Sequence, residues 1–407
     1  MHSSSPLNVE ELLQQCITHL DNSPRDLKSC ALVSRLWVYA AQSRLFRAPN
    51  IGTDPFSSTP ELSWVHFLDT LHSSPHLISH IRYLDIQLGP EALETLSRIC
   101  TVHFTHLETV AFLYRGDLQG IALAALHQLL ILSMRLRRVK LLCTFEDPKN
   151  FARLWEGCAP GIRHVTLICD SCEPALIATE ALDGLGPLLC SDPQGDTGRR
   201  PQGIIRIALE SLQLRSTQML DYRLLHHSCP FDLSRLKVLR VGWRAHVPWQ
   251  YFAQAVQSIE ALDIALNRTT TTLSLSTFPN LAFLRIYLPP SIPDEERLSM
   301  IERLFHSIGL KHATTLRKIV IFPGRGVLKL TTDSALCKQL DWTLSSLSDI
   351  TPIWSPRPKA MTSSASLPTP MVELEMDADS YEGVRPYFPR LNAMGTLRRS
   401  DGHDMEY

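Results

Sequence analysis

A six-residue template, apolar-x-x-apolar-x-apolar, recurs ten times along the chain and constrains its fold more than any other feature. It fits Ile81, Leu84, Ile86; Leu107, Val110, Phe112; Leu136, Val139, Leu141; Ile162, Val165, Leu167; and Leu209, Leu212, Leu214. It fits again at Leu236, Leu239, Val241; Ile259, Leu262, Ile264; Leu281, Leu284, Ile286; Leu316, Ile319, Ile321; and Met371, Leu374, Met376. The last two apolar positions of each unit lie two residues apart, so they share one face of a strand. Steps between first residues are 26, 29, 26, 47, 27, 23, 22, 35 and 55. A unit this short cannot bury its own apolar face, so successive units must stack to be stable.

Stacking predicts an α/β solenoid with a parallel sheet on the concave side and helices or irregular return segments outside. Residues 90–100, 121–134, 249–257 and 294–308 carry the apolar spacing of such outer helices. Asp294, Glu295 and Glu296 suit a helix start, where the dipole favours acids. The pattern resembles irregular leucine-rich repeats, with variable lengths and without the asparagine ladder of tight repeats. The repeat region is expected over 52–344, interrupted at 190–203 (CSDPQGDTGRRPQG) by a surface loop. Residues 345–370 are rich in Ser, Thr and Pro and predict a disordered insertion, in which Thr351, Ser355 and Thr369 precede proline. Residues 371–394 then form a terminal repeat or cap, and 395–407 a flexible tail.

Residues 1–51 stand apart as three short helices. Asn8 and Glu11 have capping-box spacing, with Leu7 and Leu12 placed as a hydrophobic staple, and Leu13, Ile17 and Leu20 form the stripe. Ser23, Pro24 and Asp26 give the second helix an N-cap, a proline at N1 and an acid at N3. A third helix carries Leu36, Trp37, Ala40, Ala41 and Leu45. About 40 residues bury too little surface to be very stable alone, so the apolar groups must pack on another protein or on the rest of the chain. The run also resembles the F-box, or F-box-like, domain at the start of many fungal proteins. The matching residues are Leu7, Ile17, Leu20, Asp26, Leu27, the run Cys30 to Ser34, Trp37 and the closing Leu45, Phe46 and Arg47. Asn8 stands where the family usually has proline. The resemblance implies that Leu7, Ile17, Leu20, Leu27, Leu32, Val33 and Trp37 contact a Skp-type adaptor, and through it a cullin-RING complex.

Forty Lys and Arg nearly cancel 41 Asp and Glu, which leaves no global field for nucleic acid. No apolar run approaches the ~18–20 residues of a membrane span, and residues 1–6 have no secretory pattern. Ten scattered cysteines do not form the framework of a small secreted domain. The expectation is a soluble intracellular protein, cytoplasmic or nuclear, with reduced thiols. The common catalytic motifs are missing, which predicts a non-enzyme without cofactor. Cys158, His164, Cys169 and Cys172 have the chemistry to hold zinc, but cysteine beside a strand is also an ordinary small core residue. His226, His227 and Cys229 form a similar incomplete set.

The chemistry that can be read is a surface. Residues between the core positions of each strand should line the concave face: Tyr83, Asp85, Arg138, Lys140, Gln213, Arg215, Arg240, Asp263, Phe283, Arg285, Tyr287, Lys318 and Phe322. Phe283, Arg285, Tyr287, Lys318 and Phe322 concentrate the residue types that anchor interfaces and are the expected target-binding group. An alternative pairs those basic residues with Glu373 and Glu375 of the same chain. The functional expectation is a substrate receptor of a Skp-cullin-F-box ubiquitin ligase. The alternative is a repeat interaction or scaffold protein whose N-terminal helices cap the solenoid.

Overall fold

The alternation of buried and half-buried residues along each strand is the physical basis of the architecture. In a computed structural model of the chain, Tyr83, Asp85 and Gln87 of β1 (Tyr83–Leu88) alternate with buried Leu84, Ile86 and Leu88. The same phase holds in β3 (Arg138–Thr144), β4 (His164–Ile168), β6 (Ser211–Arg215), β8 (Val238–Val241) and β10 (Phe283–Tyr287). The structure describes residues 9–20, 23–49, 51, 60–89, 92–145, 147–168, 206–215, 229–242, 252, 255–266, 273–288, 294–306, 315–322, 337–338, 341–342, 344–345, 371–375, 381–382 and 385–400. The loop expected at 190–203 lies outside these residues, as do Leu7 and, of the insertion expected at 345–370, all but Ser345, which is helical and buried.

The chain divides into two units: Met1–Arg163 with Ile168–Ile207 and His227–Pro230, and His164–Leu167 with Ala208–His226 and Phe231–Tyr407. In the first, β1 pairs in parallel with β2 (Thr109–Asp117), and β2 with β3. Helices α4 (Pro60–Ser73), α5 (Leu93–Thr101), α6 (Gly120–Leu132) and α7 (Pro148–Trp155) pack side by side in chain order. Helix α6 is apolar nearly all round and buries Ala122, Leu126, Leu129 and Leu130. Gly157, at φ 71° just past α7, supplies the left-handed turn that ends that helix. Of the helices expected from the sequence, 90–100 and 121–134 are thus present, whereas α4 and α7 were not foreseen.

In the second unit the strand order is β4-β6-β8-β9-β10-β11-β12-β13. It includes β9 (Ala261–Ala265), β11 (Lys318–Phe322), β12 (Met371–Glu375) and β13 (Leu397–Ser400), while β5 (Ile207–Ala208) and β7 (Phe231–Asp232) form a separate two-stranded sheet. Each pair from β6 to β13 is parallel. The expected helix at 294–308 is present as Asp294–His306. The expected tail at 395–407 is corrected through Ser400. Gly395, at φ 66°, closes the short helix Pro389–Ala393, and the chain then enters β13 beside β12. Together the two units establish an α/β repeat architecture with parallel strands.

Each strand entry is fixed by the backbone rather than by asparagine side chains. The Arg47 carbonyl accepts the N–H groups of Arg82 and Tyr83 at 2.9 and 3.0 Å. Arg82 accepts from Glu108 and Thr109, and Glu108 from Arg137 and Arg138, by the same rule. In the second unit Glu210, Lys237, Glu260 and Ala282 each accept two N–H groups from the next repeat. This carbonyl ladder pairs the backbone donors at each strand entry, because buried backbone donors must be paired. Its first rung, Arg47, follows the helix Arg35–Leu45.

Helices α1 (Val9–Thr18), α2 (Pro24–Val33) and α3 (Arg35–Leu45) form a small layer with its own core of Ile17, Leu27, Ala40 and Ala41. Leu20, Cys30, Ala31, Trp37 and Leu45 pack half-buried against it. Ser23 does not cap α2 through a backbone N–H; its Oγ donates to the Asp26 carboxylate at 2.6 Å.

Candidate interaction surfaces

The strand register sets one polar row across the second unit. Gln213 lies beside Arg240, Arg240 beside Asp263, and Asp263 beside Arg285. The row continues through Val320 and Glu373 to Arg398. Arg285 Nη1 stands 3.9 Å from Asp263 Oδ2, with both side chains largely covered. Oppositely charged cross-strand neighbours on one face stabilise a sheet by roughly 0.2–1 kcal/mol each.

The five expected target-binding residues do come together. Phe283 pairs with Lys318 and Tyr287 with Phe322 in the β10–β11 register. The Tyr287 and Phe322 rings stack with centroids 5.0 Å apart and planes 21° apart. Lys318 Nζ lies 5.9 Å from the Phe283 ring centroid and 2.8 Å from the Glu373 carboxylate. The expected pairing of Glu373 with a basic residue is therefore present. Val320, between Lys318 and Phe322, is buried although it shares their face. What results is a half-buried aromatic pair flanked by two internally neutralised cations, a rigid apolar platform with a polar border. Arg398 beside Glu373 was missed, because the sequence of β13 lacks the apolar template.

The adaptor residues expected from the sequence divide into two groups. Ile17 and Leu27 are corrected: they are the core of the helical layer and present no surface, because a three-helix layer consumes its best-placed apolar groups internally. Leu20 and Trp37 are half-buried against that core. Leu32 and Val33 are 87% and 71% exposed, and Leu36, which the sequence reading did not single out for this role, is 71% exposed. These three flank Ser34, the break between α2 and α3, and make an apolar corner.

Of the candidate zinc ligands Cys158, His164, Cys169 and Cys172, only Cys158 and His164 lie among the described residues. Cys158 is buried, its Sγ donates to the Leu154 carbonyl at 3.3 Å, and burial pushes its thiol up to about 12, which keeps it protonated. Cys169, Cys172, His226 and His227 lie outside the described residues. Among the described residues no group of three or more His, Cys, Asp or Glu is placed to hold a metal, and no helix is long and apolar enough to cross a membrane.

No protein-family model and no curated protein matches the chain. Among solved structures it is similar to the leucine-rich repeat-containing protein LegL7 from Legionella pneumophila. The identity is 12% and the TM-score 0.38, over 78% of this chain and 89% of that one. The repeat architecture stated above rests on the strand register and the carbonyl ladder, not on this distant likeness.

Proposed function

We propose that the chain is a non-catalytic substrate receptor of a Skp-cullin-F-box ubiquitin ligase, with the N-terminal helices docking on the adaptor and the repeats holding a target. The observation that carries this reading is the α2–α3 corner. There Leu32, Val33 and Leu36 stand exposed on a helical layer whose core is complete without them. Burying each against a partner would contribute roughly 1.5–3 kcal/mol before the costs of association. The F-box resemblance of the N-terminal run names the occupant as a Skp-type adaptor. Ile17 and Leu27 then support the contact from beneath, with Leu20 and Trp37 on its flank. The target would lie against Phe283, Arg285, Tyr287, Lys318 and Phe322, and ubiquitin transfer would belong to the partners, in the cytoplasm or nucleus.

Co-expression with a recombinant Skp-type adaptor tests the proposal. The wild-type chain should co-purify with it. Leu32→Asp with Leu36→Asp should abolish the complex without lowering the melting temperature, because carboxylates buried without partners are costly while the same residues are exposed in the free chain. A second reading, that the helices only cap the repeats, is favoured by the Arg47 rung of the ladder. It stands alone if the wild-type chain binds no adaptor and deletion of residues 1–49 makes the remainder aggregate.

A further inference from the structure

The entry to β3 in the first unit concentrates positive charge. Arg135, Arg137, Arg138 and Lys140 are all exposed. Arg138 and Lys140 alternate with buried Val139 and Leu141, so they project from the same face of the strand. Their neighbours on β2 are Thr109 and Ala111, which offer no carboxylate. At the rim, two further contacts gather charge onto one atom. Arg82 Nη1 lies 2.7 Å and Arg135 Nη1 3.2 Å from His106 Nδ1. That nitrogen accepts from both guanidiniums, which requires a neutral ring with its proton on Nε2. The carboxylate at this rim is Glu108, 3.7 Å from Arg82 and half-exposed. The corresponding rim of the second unit is balanced instead, with Lys237 3.4 Å from Glu260.

We infer that this patch, formed by Arg82, Arg135, Arg137, Arg138 and Lys140 around His106, binds an extended acidic segment of a partner protein. The spacing favours such a segment. Arg138 and Lys140 are two residues apart on a strand, about 6.6 Å, and an extended peptide with acids at alternate positions repeats at the same distance. Carboxylates laid along β3 would meet one cation each, and the next would reach the guanidiniums held at His106. Charge-assisted contacts of this kind are stronger than neutral ones. A duplex or long single strand fits less well. The patch spans only the rungs from Arg82 to Arg137, and the chain as a whole carries a net charge of −1, which gives no extended field for a polyanion. The inference is independent of the adaptor reading, since it uses no residue of α1 to α3.

The experiment is fluorescence anisotropy of the full-length chain with a labelled twelve-residue peptide of alternating Glu and Ser, beside its Gln–Ser counterpart and a single-stranded oligonucleotide of matched charge. The acidic peptide should bind at low salt and weaken as salt rises, because exposed charges are screened over about 10 Å at 0.1 M. Arg138→Ala with Lys140→Ala should weaken that binding by about ten-fold or more, and both sites are exposed, so the variant's melting temperature should match the wild type. Arg138→Glu with Lys140→Glu should reverse the preference and bind an alternating Lys–Ser peptide. Binding of the Gln–Ser peptide equal to the acidic one, tighter binding of the oligonucleotide, or unchanged affinity in the alanine variant would overturn the inference.

Discussion

The Lys318 ammonium lies 2.8 Å from the Glu373 carboxylate, joining β11 to β12 across a sheet face where both side chains are mostly covered. Glu373 is buried to 6% exposure, so the carboxylate depends on this neighbour. Lys318→Ala should therefore lower stability by about 2–3 kcal/mol, because a buried charge left without its partner keeps its desolvation cost. Replacing both residues, Lys318→Met with Glu373→Leu, should restore most of the loss. Denaturant melts of the three variants check the order.

Asp341 makes a second long-range tie. Its carboxylate accepts from the backbone N–H groups of Arg390 at 3.0 Å and Leu391 at 2.9 Å. It thus caps the helix Pro389–Ala393 from a distant segment, a task that the local N-cap residue Phe388 has no side chain to perform. Asp341→Ala should cost about 2–3 kcal/mol, since it buries two unsatisfied donors. Hydrogen exchange at Arg390 and Leu391 should accelerate in the variant, and β13, which follows that helix, should loosen with it.

Acid should destabilise the first unit. Burial, then neighbouring His76, Arg82 and His106, hold the His80 imidazole below its ordinary range. Burial, then Arg82 and Arg135, do the same at His106 against a weaker opposing pull from Glu108. With the folded-state values lowered, the unfolded chain takes up protons first as pH falls through ~6.5. Stability contributed by these neutral rings is present above that pH and is lost as pH falls toward the folded-state values. Melting temperatures at pH 7.5 and 5.5 should show the drop, and His106→Gln should make it smaller.

Tyr287 and Arg285 separate a binding surface from a purely structural patch. The Tyr287–Phe322 stack and the Arg285–Asp263 pair are both partly open to solvent. Arg285→Ala with Tyr287→Ala should lose a target identified by crosslinking, at ~2 kcal/mol or more of binding per hot-spot residue, with a smaller change in folding stability. A fall in melting temperature with the target retained would remove these residues from the target site.

The strands were legible in the sequence because their signal is local. Leu84 and Ile86, or Leu284 and Ile286, are two apart and fully buried, and that period survives any variation in the return segments. Other features depend on contacts that no local pattern records. Strand β13 places Leu397 in the core while Arg398 and Arg399 are exposed, so it carries no apolar template. The carbonyl ladder is made of backbone and has no side-chain signature. In the helical layer, Leu32 and Val33 of the residues expected at an adaptor surface are exposed. Ile17 and Leu27 have the same chemistry and were taken by the core, because sequence spacing does not show which apolar group a small layer uses internally.

Hydrogen exchange of the chain with and without an equimolar recombinant Skp-type adaptor tests whether the N-terminal helices dock on that adaptor. A one-to-one complex is expected, in which protection rises across the end of α2 and the start of α3, around Leu32, Val33 and Leu36, while the β10–β11 face of Tyr287 and Phe322 stays unchanged. No complex, or protection confined to the repeat strands, would contradict it.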